Sequence, residues 1–77
     1  MANFDVVFFK DSKLKMYKET GERRINTYSL PSIDSVIKKA KEDGNAWGAT
    51  IFTIHINKTG EFFGAWKKKG TRWYRTL

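Results

Sequence analysis

At 77 residues the chain has room for one domain and one core. It has no cysteine, which excludes disulfide staples, thiolate metal sites and a cysteine nucleophile, and favours a reducing compartment, the cytoplasm. Fifteen Lys and Arg against eight Asp and Glu leave a net charge of +7, suited to meeting a polyanion: nucleic acid, an acidic protein face or an anionic membrane.

A hydrophobic content of 40 % argues against disorder. The 16 % aromatic fraction offsets the small core, because each Phe or Trp buries ~150–250 Å². Residues 1–10 lack a basic leader and a small-residue cleavage site, so Phe4, Val6, Val7, Phe8 and Phe9 read as a strand covered on both faces. Asp11 and Ser12 mark a turn. Residues 13–18 then alternate, with Leu14 and Met16 opposite Lys13, Lys15 and Tyr17, as a second strand does. Gly21 supplies a hairpin turn, and the polar return over residues 23–28 belongs at a sheet edge.

One helix is well signalled. Ser29 or Ser32 can cap it, Pro31 fits only a first turn, and Ile33, Val36, Ile37 and Ala40 form one apolar stripe. Gly44 is the expected stop, with Lys38, Lys39 and Lys41 late enough to suit the macrodipole. Residues 47–57 make the strongest strand, followed by a turn at 57–60, a strand over 61–67, a turn at 68–70 and a strand over 71–76. The order β-β-β-α-β-β-β implies a single α+β domain, a curved, mainly antiparallel sheet of five to six strands packed on one helix.

The chemistry concentrates at the C-terminal end. Residues 58–77 hold Lys58, Lys67, Lys68, Lys69, Arg72 and Arg75 against Glu61 alone, interleaved with Trp66, Trp73 and Tyr74. Rings beside cations on a sheet stack bases and neutralise phosphates. They also describe the ordinary core and soluble hairpin tip of a basic β protein. Strict alternation puts Phe62, Gly64, Trp66 and Lys68 on one face and Glu61, Phe63, Ala65 and Lys67 on the other; Trp73 and Arg75 oppose Arg72 and Tyr74. A second cluster on the first hairpin contains the Arg23–Arg24 pair, whose guanidinium groups suit oxyanions. Lysines there also guard an edge strand.

Other chemistries have little support. His55, the one histidine, lies between Ile54 and Ile56 with no adjacent nucleophile or carboxylate and reads as structural. The scattered acids make no catalytic pair, no metal site or cofactor is expected, and no Gly-rich phosphate loop opens the helix. Gly64 within a strand marks a bulge, a bend or a close approach. The Asn57-Lys58-Thr59 sequon carries no weight, and the RNP signature of RNA-recognition motifs is missing.

The expectation is a non-enzymatic nucleic-acid-binding or nucleic-acid-associated regulatory module with little sequence readout, single strands or RNA being preferred. Contacts are expected from Lys67, Lys68, Lys69, Arg72, Arg75, Arg23 and Arg24, with Trp66, Trp73 and Tyr74 as stacking platforms. The alternative is an inhibitor or adaptor of the kind encoded by phages and mobile elements, docking on an acidic protein through a strand edge and tryptophan hot spots. No membrane anchor is evident, and pairing of edges into a dimer is compatible with either.

Overall fold

The computed structural model describes residues 2–10 and 23–77. The strand expected over residues 13–18 and the turn over 19–22 lie outside the described residues. Those described form β1 (Ala2–Phe9), β2 (Arg23–Leu30), α1 (Ile33–Trp47), β3 (Ile51–Ile56), β4 (Phe62–Lys69) and β5 (Arg72–Arg75). The strands join in one sheet, order β2-β1-β3-β4-β5, with every neighbouring pair antiparallel. The α+β architecture of one helix on an antiparallel sheet is therefore as expected. Among the described residues, polar β2 lies at an edge.

Register explains the core. Val6 sits opposite Ile54, Phe8 opposite Phe52, and Phe52 opposite Trp66, so all five share one face. Helix α1 packs against β1, β2 and β3 and turns Val36, Ala40 and Gly44 inward. Phe52 is the hub: its ring lies 6.0 Å from Phe8, 5.2 Å from Trp66 and 4.9 Å from Trp73. Such pairs add about 0.5–1.5 kcal/mol each beyond simple burial. On the opposite face Phe9, Ile51, Thr53 and Ala65 are also buried, so the middle of the sheet is dry on both sides.

Of the two possible caps, Ser32 takes the role, its Oγ accepting from the backbone N–H of Ser35 at 3.2 Å. The helix does not stop at Gly44. It runs on to Trp47 and is closed by Gly48 at φ 86°, whose N–H donates to the carbonyls of Gly44 and Asn45. Gly44 instead marks the closest approach of helix to sheet, since a Cβ there would lie 3.1 Å from Trp73 and 3.4 Å from Phe8. The added turn leaves Lys38, Lys39 and Lys41 in mid-helix, and the last turn has no basic residue. The long strand expected over 47–57 shortens to β3 because its first residues complete the helix and its cap.

A register shift between Ile54 and His55 corrects the assumed alternation of β4. Phe62 pairs with His55 on the face away from the helix, and its ring meets the imidazole at 5.6 Å. Phe63, the extra residue of the bulge, stacks on Trp66 instead. One inserted residue thus swaps the faces of the two phenylalanines.

Candidate nucleic-acid interface

The pairing of β4 with β5 decides which basic residues meet. Lys67 lies opposite Tyr74, and Lys69 opposite Arg72. Both pairs are on the face away from α1, because Trp66, Lys68, Trp73 and Arg75 point to the helix side. The result is a groove of about 690 Å³ lined by Lys67, Lys69, Tyr74 and Thr76, and by Lys68 between the two lysines, although its ammonium turns to the Trp73 ring. Tyr74 is 49 % exposed there. Among the described residues no carboxylate lies within ion-pair distance of Lys67, Lys69 or Arg72. The cations therefore face solvent around one accessible ring.

The structure uses the remaining C-terminal residues differently. Trp66, expected as a stacking platform, is 4 % exposed and sandwiched between Phe52 and Phe63, so it offers no free face. Trp73 is half-buried against Phe52, its indole N–H donating to Asn45 Oδ1 at 3.1 Å, with the Lys68 ammonium 5.7 Å from its ring centre. Arg75 is a clamp. Its Nη2 donates to the Phe63 carbonyl and its Nε to the Leu77 carbonyl, both at 2.9 Å, and its guanidinium covers Phe63 at 4.8 Å and Trp66 at 5.1 Å. Buried rings need covering and β5 needs an anchor, so these side chains serve the core.

Gly64 makes the clamp possible, being at once beside the bulge and at a close approach. A Cβ there would stand 2.9 Å from Arg75 Nη2, 3.0 Å from Nε and 3.1 Å from the Leu77 carbonyl oxygen. Gly64→Ala is therefore expected to displace the guanidinium and cost about 1–2 kcal/mol, discounted for solvent exposure. At this chain size each kcal/mol corresponds to a fall of roughly 4–8 °C in Tm. Thermal denaturation of Gly64→Ala, Arg75→Ala and the double variant checks this. The double variant should match Arg75→Ala, whereas full additivity would dissociate the glycine from the clamp.

The Arg23–Arg24 pair does not join the groove. β1 and β3 intervene between β2 and β4, which puts Arg23 roughly 14 Å from Lys67 along the row Arg23–Phe9–Ile51–Lys67. Successive residues also face opposite ways. Arg23 shares the face of Lys67, while Arg24 turns to the helix side and lines a cleft with Phe8, Asn26, Asp43, Ala46 and Trp47.

That cleft borders a polar chain that sequence reasoning missed. Asn26 Nδ2 donates to the Tyr28 hydroxyl at 3.3 Å, and the hydroxyl donates to Asp43 Oδ2 at 2.6 Å. Lys39 Nζ lies 3.6 Å from Asp43 Oδ1. Burial first, and then the hydrogen bond to Asp43, push Tyr28 up from 10.0 to about 12. The folded state therefore favours the protonated phenol. The associated stability is complete below pH 10 and is lost as pH rises from 10 towards 12. Tyr28→Phe should be less stable than the parent at pH 7, and the gap should close above pH 10. Urea denaturation of both proteins from pH 7 to 11.5 reads this directly, and a gap constant with pH would contradict it.

At the far end of the sheet the surface is polar and tied together by hydrogen bonds around Asp5. Asp5 accepts from Thr27 Oγ1 at 2.7 Å and from Asn57 Nδ2 at 3.0 Å, and Ser29 Oγ donates to Asn3 Oδ1. His55 lies in this region, its Nε2 3.0 Å from Thr53 Oγ1. Among the described residues no three His, Asp or Glu side chains come together as a metal site, and no helix is long and apolar enough to cross a membrane. Thr76 and Phe62, the latter 47 % exposed, are surface features that only the register and the bulge reveal. Comparison with protein-family models, curated proteins and solved structures found no match.

Proposed function

We propose that this protein binds single-stranded nucleic acid through the β4–β5 groove, with little sequence readout, as a binding or regulatory module and not as an enzyme. One observation carries this: the cross-strand pairs Lys67–Tyr74 and Lys69–Arg72 place three cations around one half-exposed ring on a single face. A phenol ring stacks on any base, but only where the base presents its face, which a duplex hides. The cations supply a sequence-independent attraction to the phosphates on either side. Docking through tryptophans has less support, since Trp66 is enclosed and Trp73 is tied to Asn45 and Phe52.

Three neutralised phosphates on a single strand give a log–log salt slope of about −2, a roughly 20-fold loss of affinity between about 50 and about 200 mM salt. Fluorescence anisotropy with labelled single-stranded RNA, single-stranded DNA and duplex DNA tests this at both salt concentrations. Single strands should bind more tightly than duplex. Tyr74→Ala should cost ~1–3 kcal/mol, a loss of about 5- to 150-fold. Binding indifferent to salt, or none at the lower concentration, would overturn the proposal and turn the search to an acidic protein partner.

A further inference from the structure

The cleft between the start of β2 and the last turns of α1 has the donor and acceptor pattern of a base-binding site. We infer that it binds an unpaired guanine, presented as a nucleotide. The cleft has a volume of about 290 Å³, near the lower end of the ~300–1,000 Å³ typical of small-molecule sites. Its apolar lining is Ala46 and the half-buried Trp47 ring, with the almost fully buried Phe8 beneath the surface, and its polar groups are Arg24, Asn26 and Asp43. A flat ligand with a polar rim suits such a lining.

Asp43 is held in place before any ligand arrives. Tyr28 donates to one oxygen and Lys39 approaches the other, yet a carboxylate accepts at about four sites, which leaves capacity for further N–H donors. Arg24, which lines the same cleft from β2, carries a fork of donors suited to paired acceptors. Guanine answers both groups. Its O6 and N7 are adjacent acceptors suited to a guanidinium, and its N1–H and N2–H are adjacent donors suited to a carboxylate. Adenine carries one exocyclic amine and no such pair of donors, so it meets Asp43 through a single group. The Lys10 ammonium lies 4.7 Å from the centre of the Trp47 ring, which lines the cleft. The site is on the helix face at the β2 edge, and β5 with its groove is at the other edge.

Titration of the ¹⁵N-labelled protein with guanosine monophosphate, adenosine monophosphate and inorganic phosphate, followed at the Trp47 indole N–H, tests the assignment. The guanine nucleotide should shift that signal saturably and bind at least about tenfold more tightly than the adenine nucleotide. Phosphate alone should leave it unmoved. Arg24→Ala, at an exposed position, should abolish the preference without unfolding the protein. Asp43→Asn should do the same where it folds, and Tyr74→Ala should leave guanine binding intact. No shift at millimolar guanosine monophosphate, equal binding of the two nucleotides, or a shift reproduced by phosphate would each overturn the inference.

Discussion

Phe52→Ala is expected to bring the protein to the brink of unfolding at room temperature. Phe52 is fully buried and touches the rings of Phe8, Trp66 and Trp73, which reach it from β1, β4 and β5. Removing such a ring costs about 3–5 kcal/mol, partly lost transfer energy and partly the cavity left behind. A domain of this size has only about 4–12 kcal/mol in total, at roughly 0.05–0.15 kcal/mol per residue. The loss is thus between about a quarter and all of the stability. Phe52→Leu keeps most of the volume but loses the three ring pairs, so its cost should fall between those of Phe62→Ala and Phe52→Ala. Phe62→Ala, a change of equal size at a half-exposed ring, should fall within about 1 kcal/mol of the parent. Urea denaturation followed by circular dichroism ranks the three. A Phe52→Ala midpoint close to that of Phe62→Ala would dissolve the idea of a single aromatic hub.

The hub also explains which parts of this fold were legible in the sequence. Alternation along β3 and the Ile33, Val36, Ile37, Ala40 stripe carry local signals strong enough to place a helix and strands. Gly44 misled because two different constraints favour glycine, a left-handed C-cap and a close approach. Only the partner side chains, Trp73 and Phe8, tell them apart. Phe62 and Phe63 exchanged faces because one bulge residue inverts a period of two. Gly64 signals an irregularity there, but a bulge, a bend and a close approach share that signal, and only the pairing with β3 makes Phe63 the extra residue. Lys67, Lys69, Arg72 and Tyr74 were legible as a group because a short hairpin fixes their pairing. Arg75 and Trp66 were not distinguishable from them by composition, since a ring and a cation that serve the core look the same in sequence as a ring and a cation that serve a ligand. Arg23 and Arg24 sit far from the groove for a topological reason: β1 and β3 are inserted between their strand and β4.

That topology allows charge reversal to separate a local groove from the general attraction of a basic protein. Lys58→Glu and Lys67→Glu change the net charge identically, from +7 by two units. Lys58 lies in the β3–β4 turn, beyond the Phe62 end of β4, whereas Lys67 lies opposite Tyr74. The five residue steps from Phe62 to Lys67 alone span roughly 17 Å of strand. This exceeds the Debye length of about 10 Å at 0.1 M salt, so Lys58 scarcely acts on a phosphate held at Lys67. Lys67→Glu should therefore weaken single-strand binding several-fold more than Lys58→Glu does. Each phosphate contact contributes a factor of about 5 at 0.1 M salt, so Lys67→Glu with Lys69→Glu should cost at least about 25-fold. The salt slope should also drop from about −2 to about −0.7. A carboxylate at position 69 would stand opposite Arg72 and occupy that guanidinium as well, which makes 25-fold a lower bound. All three lysines are exposed, so the far-ultraviolet dichroism of the variants should match the parent. Equal losses from Lys58→Glu and Lys67→Glu would mean that the protein's overall field, and not the arrangement around Tyr74, holds the strand.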